Sequence, residues 1–237
     1  FDEKAVDVLE DVNCPFYKIA SYEMDCFPLL KKIAATKKPI IISTGMARLS
    51  EIKKSIKFLE KNGARKIIIL YCVTAYPAKS TDFNLRNIQI LRNHFKYPIG
   101  FSDHSNDTHI ATSAVCMGAN IFEKHIGYND QKKGFDINFS TTGKDITSYK
   151  ENLINAWTMT NRRNFFRSTN ELKSIKDKRS IFCIKTIEKN ERFSEKNIKS
   201  LRPNIGLENK YYFKLLNKKS KKKINLGPLN KNFKIYV

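Results

Sequence analysis

The sequence predicts an α/β fold built on a parallel sheet and followed by a small β-rich domain, and three observations carry the prediction. Between Tyr17 and His125 the chain repeats a short apolar run, a polar loop and an amphipathic segment, the alternation that consecutive βα units produce. Two of the apolar runs end in histidine, Ile-Gly-Phe-Ser-Asp-His104 and Ile-Phe-Glu-Lys-His125, as strands do when they release polar side chains at the mouth of an α/β barrel. Past Asn161 the chain turns polar and charged, then alternates over short runs separated by turns.

Taken in order, Asp2–Asp11 reads as an amphipathic helix. Strands are expected at Tyr17–Ala20, Pro39–Ser43, Lys66–Tyr71, Pro98–Phe101 and Asn120–Glu123, with helices near Asp25–Thr36, Ser50–Asn62, Asn84–Phe95 and Asp107–Met117 between them. The first helix should follow a strand and none precedes it, so the amino-terminal part of the barrel is expected to be missing. Five strands do not close a barrel of eight, and the expected architecture is a partial TIM (β/α)8 barrel comprising about its last five βα units. A loop rich in glycine and polar residues, Gly127–Lys144, leads to a helix near Ile146–Asn161 that carries Trp157, the only tryptophan. The expected division is a barrel portion over 1–161, a linker over 162–178 and a β-rich domain over 179–237, with strands at Ser180–Ile184, Arg192–Phe193 and Gly227–Leu229.

Composition narrows the function classes. No stretch of the 237 residues is long and apolar enough to cross a bilayer, and the opening residues are amphipathic rather than signal-like. A cytoplasmic protein without a membrane partner is the expectation. The five cysteines are scattered and odd in number, which fits reduced core thiols. A formal charge of +21 is spread along helical segments and crowds at residues 217–223 without interleaved aromatics. Solvated faces account for it, and no specific nucleic-acid partner is expected.

Chemistry-bearing residues recur after each strand: Lys18, Ser21 and Glu23; Ser43 and Thr44; Thr74 and Tyr76; Ser102 and His104; Glu123 and His125. A lysine beside several hydroxyls suits a phosphate, the ammonium acting as point charge and the hydroxyls as directed donors. Two neutral imidazoles suit a borderline divalent ion and leave coordination positions for water and substrate. Singly, such a serine is a helix cap and such a histidine a structural residue; a common barrel mouth is what joins them.

Several of these segments resemble one family in order: Phe1-Asp2-Glu3, Tyr17-Lys18-Ile19-Ala20-Ser21-Tyr22-Glu23, Ile42-Ser43-Thr44-Gly45-Met46-Ala47, Thr74-Ala75-Tyr76-Pro77, Asn84-Leu85, Gly100-Phe101-Ser102-Asp103-His104 and Glu123-Lys124-His125. They are similar to motifs of the sialic acid synthases, which condense phosphoenolpyruvate with an N-acetylated hexose such as N-acetylmannosamine. Ser200-Leu201-Arg202-Pro203 and the turns around it resemble the antifreeze-like (SAF, β-clip) domain of those enzymes.

The resemblance implies a transferase that forms a carbon–carbon bond and releases phosphate, N-acetylneuraminate synthase first, with pseudaminic or legionaminic acid synthase as the alternatives. His104 and His125 would hold a divalent metal, Mn first and Mg or Co next. Lys18, Ser21, Ser43, Thr74 and Ser102 would bind phosphoenolpyruvate. Glu23, Tyr76 and Asp136 would contact the sugar, with Glu23, His104 and His125 in the catalytic roles. Arg202 would reach the acceptor's N-acetyl group from a partner subunit, which implies a domain-exchanged homodimer.

The chain departs from the family pattern after its last strand, where Gly134-Phe135-Asp136-Ile137-Asn138-Phe139-Ser140 replaces a Gly-Pro-Asp-His arrangement, and at Thr74, where some members carry Asn. With three strands expected to be missing, the chain alone is expected to be inactive. Two other readings are a two-histidine metal hydrolase on the same barrel, which needs no phosphate site, and an inactive carbohydrate- or nucleic-acid-binding derivative of the fold.

Overall fold

The computed structural model describes residues 2–131 and 133–233. Phe1 of the first motif, residue 132 of the glycine-rich loop and the last four residues of the carboxyl-terminal segment lie outside that description. The chain divides into two compact units, residues 1–162 and 163–237.

In the first unit, α1 (Glu3–Asp11) leads to β1 (Tyr17–Ile19), α2 (Phe27–Ala35), β2 (Ile40–Ser43), α3 (Leu49–Lys61), β3 (Ile67–Cys72), α4 (Arg86–His94), β4 (Ile99–Asp103), α5 (Thr108–Cys116) and β5 (Phe122–Lys124). The five strands form one sheet in the order β1-β2-β3-β4-β5, all parallel. Each of β1 to β4 is followed by a helix, α2 to α5, in the βα repeat expected from the sequence. A short pair, β6 (Ile126–Gly127) and β7 (Thr141–Thr142), brackets the glycine-rich loop, and α6 (Lys144–Thr160) completes the unit.

The strands bury alternate side chains against the helices. Tyr17, Ile19, Ile40, Ile42, Ile67, Ile69, Tyr71, Ile99 and Phe101 join Leu30, Ile33, Ile56, Leu59, Ile88 and Ala111 in one core. The opposite set on the same strands carries the polar groups: Lys18, Ser43, Cys72, Ser102 and Glu123. Period-two alternation therefore separates a helix-facing core from a chemical face. β4 runs two residues past its expected end because Ser102 and Asp103 pair with Glu123 and Lys124 of β5. Their polarity reads as loop in the sequence, while in the fold Glu123, Lys124 and Tyr149 satisfy these two buried side chains.

The second unit contains α7 (Thr169–Leu172), β8 (Ser180–Cys183), β9 (Ile198–Leu201), β10 (Leu207–Glu208), α8 (Tyr212–Leu215) and β11 (Gly227–Pro228). β8 is the hub, antiparallel to β9 along its length, to β10 near its start and to β11 near its end. Ile181, Cys183, Ile187, Phe193, Ile198, Leu207, Leu215 and Leu229 form its own core.

Two local expectations change. The stretch read as a linker contains α7, whose start is capped by Ser168 Oγ accepting from the Glu171 amide at 3.1 Å. Arg192–Phe193 is no strand: it makes one isolated bridge, Arg192 to Lys219, and the Asn197 side chain bonds Arg192 O and Ser194 N in place of a ladder.

Candidate functional site

The carboxyl ends of β1 to β5 open onto a cavity of about 550 Å³. On its β1 side, Lys18 projects from the strand, and Ser21 and Glu23 sit on the 3-10 turn Ser21–Glu23 that follows. Ser21 Oγ accepts from the Gly45 amide at 2.9 Å and lies 3.2 Å from Cys72 Sγ. Gly45 is required there: a Cβ would land on Thr74 Oγ1 and come within 2.9 Å of Ser21 Oγ. Ser43, at the end of β2, is buried.

Glu23 Oε2, Ser43 Oγ and Thr74 Oγ1 are buried and have no hydrogen-bond partner. An unmet buried polar atom costs about 1–3 kcal/mol, so the two that belong to cavity-lining residues, Glu23 and Ser43, mark a place where a polar ligand belongs.

On the other side, Ser102 and His104 come from β4 and the residue after it, Glu123 and His125 from β5 and the residue after it. Ser102 Oγ donates to Glu123 Oε1 at 2.7 Å, and Lys18 Nζ stands 3.5 Å from the same oxygen. His104 is 6% exposed. Its Nδ1 lies 2.7 Å from Val73 O, which assigns the proton to Nδ1 and leaves the Nε2 lone pair facing Ser102 Oγ at 3.4 Å. Burial pulls the His104 pKa down, with the Val73 carbonyl opposing and His125 adding to the shift. The ring is neutral at pH 7.

An aromatic cluster completes this side. The Tyr76 ring lies 4.3 Å from the His104 ring at 34°, and the His104 and His125 rings are 5.5 Å apart. Phe139 packs 5.0 Å from His125 and 5.4 Å from Tyr76. Burial raises the Tyr76 pKa, so its hydroxyl keeps its proton and can donate. Asp136 Oδ2 is 3.6 Å from His125 Nδ1.

The structure thus brings Lys18, Ser21, Glu23 and Ser43 together with Tyr76, Ser102, His104 and His125 around one cavity. Thr74 stands just behind, against Gly45, and Asp136 reaches the site through His125. Arg202 is exposed and follows β9 in the second unit, outside this cavity's lining. Glu123 is the residue to which sequence reasoning gives a strand-end position but no role. Its signal was the register, which sets it beside Ser102.

Among the described residues no group of three or more His, Cys, Asp and Glu has metal-binding geometry. The two imidazoles nonetheless fit a divalent ion. His104 offers a neutral Nε2 whose tautomer the Val73 carbonyl fixes, the way a metal-ligating histidine is usually held. The Ser102 hydroxyl points its hydrogen at Glu123, so a lone pair of Ser102 Oγ and the Nε2 lone pair face each other at 3.4 Å, a gap that a cation relieves. Water and substrate would supply the remaining positions.

Residues 1–164 match the model of the NeuB family. The pseudaminic acid synthase of Helicobacter pylori is 35% identical over 94% of this chain and 66% of its own length. The N,N'-diacetyllegionaminic acid synthase of Campylobacter jejuni is 36% identical over 92% of this chain and 66% of its own. In structure, the spore coat polysaccharide biosynthesis protein E of Chromobacterium violaceum superposes with a TM-score of 0.73 at 27% identity, over 97% of this chain and 70% of that one. The chain therefore spans slightly under two thirds of the curated relatives' length. A half-barrel of βα units with Lys, Ser and His at its strand ends, matched over 164 residues, makes this chain a member of the NeuB family.

Proposed function

We propose that this site condenses phosphoenolpyruvate with the open-chain aldehyde of an N-acetylated hexose, releasing phosphate and a nine-carbon sugar acid. The supporting observation is one cavity lined by two chemically distinct sets, Lys18 with the hydroxyls of Ser21 and Ser43, and His104 and His125 with Tyr76, and by Ser102, which touches both His104 and the Glu123 carboxylate that faces Lys18.

Lys18 and the serine hydroxyls hold the phosphate and carboxylate of phosphoenolpyruvate as point charge and directed donors. The vinyl carbon attacks the aldehyde carbon. Water adds to the resulting oxocarbenium carbon and gives up one proton while the aldehyde oxygen takes one up; the adduct then collapses, its hydroxyl oxygen forming the ketone and passing its proton to the phosphate, which leaves with the electrons of the broken carbon–oxygen bond. Glu23, whose Oε2 is buried without a partner, is placed to carry the proton to that oxygen. Tyr76 and Asp136 orient the sugar, and donors fixed in advance are the main catalytic device. A Mn-type ion held by His104 and His125, with Mg or Co as substitutes, would supply Lewis-acid polarisation of the aldehyde.

The acceptor is proposed at the level of N-acetylated hexoses. N-acetylmannosamine, giving N-acetylneuraminate, is the reference. The names of the relatives support acceptors that give pseudaminic or legionaminic acid. We further assign the second unit as an antifreeze-like domain from which Arg202 reaches the acceptor's N-acetyl group in a partner subunit of a homodimer. Its support is the small antiparallel sheet around β8 and the exposed position of Arg202.

The test is product identification by mass spectrometry from phosphoenolpyruvate, Mn(II) and each of the three acceptor sugars, using this chain and the longest product of its gene. One nine-carbon acid formed from one acceptor supports the reading and names the product. Hydrolysis of a sugar derivative without phosphoenolpyruvate would instead favour a two-histidine hydrolase.

A further inference from the structure

We propose that Asp103, Lys124 and Tyr149 form a buried clamp that positions His104 and His125, a role that rests on the reading of those imidazoles as metal ligands. The clamp lies outside the proposed chemistry. Asp103 Oδ2 is 3.3 Å from Lys124 Nζ and accepts from Tyr149 OH at 2.9 Å, while Oδ1 accepts from the Ser105 amide at 2.9 Å and from Ser105 Oγ at 2.6 Å. Lys124 Nζ also donates to Ser105 O. The two charged side chains are only 1% and 10% exposed.

Sequence position gives the clamp its purpose. Asp103 and Lys124 are register partners on β4 and β5, and each immediately precedes one histidine. The pair fastens the two strand ends one residue before the imidazoles, with Asp103 buried and Lys124 reaching the margin of the cavity that the imidazoles line. Tyr149 anchors the same carboxylate to α6, the helix that follows the loop carrying Asp136.

Strength alone does not account for a buried ion pair, because apolar residues of similar volume are often as stabilising. What an apolar pair cannot supply is a single geometry. The carboxylate has both oxygens engaged and the ammonium two partners, so β4 and β5 have one relative setting and the two imidazoles, 5.5 Å apart, have one spacing. Asp103, Lys124 and Tyr149 are therefore positioning residues.

The experiment compares the wild-type chain with the Asp103→Leu/Lys124→Met double variant, Lys124→Arg and Tyr149→Phe. Three quantities are read: the urea midpoint, Mn(II) affinity by electron paramagnetic resonance, and the metal-free 15N imidazole spectrum. The double variant is expected to keep a cooperative transition, to lose about tenfold or more in Mn(II) affinity, as outer-shell changes do, and to shift or multiply the His104 and His125 signals. Lys124→Arg should recover part of the affinity. Wild-type affinity and an unchanged imidazole spectrum in a folded double variant overturn the clamp. If the double variant does not fold, Tyr149→Phe, which removes one bond, carries the same comparison. If the wild-type chain takes up no Mn(II), the metal reading fails on its own. The imidazole spectra then decide the clamp: altered signals support it and unchanged signals overturn it.

Discussion

Lys18 and Glu123 stand on the two outer strands of a five-strand sheet, yet Nζ and Oε1 are 3.5 Å apart. In a flat sheet four strand spacings would hold β1 and β5 roughly 19 Å apart. The contact therefore measures how far the sheet has curled: it has already taken the curvature of a barrel wall, and the concave side collects the strand-end groups. It also sets a competition, because Glu123 occupies the ammonium that a phosphate would need.

That competition predicts opposite effects from the two partners. Lys18→Met should weaken phosphoenolpyruvate binding by about tenfold or more, the scale of one charged hydrogen bond. Glu123→Gln should tighten it, since an amide competes less for Lys18 and repels the phosphate less. Calorimetric titration with phosphoenolpyruvate reads both, and weakening in both variants would contradict the competition.

His104 and His125 are expected to contribute jointly to metal uptake. His104→Ala and His125→Ala should each lower Mn(II) affinity by more than about 100-fold, beyond the range of outer-shell changes. Free Mn(II) measured by electron paramagnetic resonance checks this. Tyr76→Phe, which keeps the ring packed against His104, should leave that affinity near wild type.

Gly45 predicts a structural cost inside the site. In Gly45→Ala the new methyl meets Thr74 Oγ1, Ser21 Oγ and Cys72 Sγ, and relieving such overpacking costs about 1–3 kcal/mol. A urea unfolding curve should show the loss, and phosphoenolpyruvate binding should fall with it because Ser21 must move.

Tyr97 and Glu60 give a pH signature remote from the site. The Tyr97 hydroxyl donates to Glu60 Oε1 at 2.7 Å. Burial, then this carboxylate, pushes the Tyr97 pKa from 10.0 up to about 12, while the Tyr97 hydroxyl chiefly holds Glu60 below its usual value of 4.5. A raised folded-state pKa means that the unfolded chain releases the proton first. The Tyr97 contribution is thus present below pH 10 and lost as the pH rises to about 12. The Glu60 contribution is present above its unfolded pKa and lost as acid protonates it. In Tyr97→Phe the difference in urea midpoint from wild type should shrink between pH 10 and about 12.

Much of this was legible in the chain. The five strands and their helices follow from period: Ile40, Ile42, Ile67 and Ile69 had to face helices, which put Lys18, Ser43, Ser102 and Glu123 on the other side. Hidden from the sequence were features set by partners distant in the chain. Ser102 and Asp103 read as loop until Glu123, Lys124 and Tyr149 are seen to satisfy them. Glu123 acquires meaning only once curvature brings Lys18 to it. β9 and β10 exist because β8 pairs with them, and neither Ile198-Lys199-Ser200-Leu201 nor Leu207-Glu208 announces itself alone.

The most direct test of the central claim is phosphate release from phosphoenolpyruvate by the longest product of this gene, with Mn(II) and each acceptor sugar, beside its His104→Ala variant. The account predicts release that requires both an N-acetylated hexose and the metal, and that is lost in the variant. Release that ignores the sugar, or that survives His104→Ala unchanged, would contradict it.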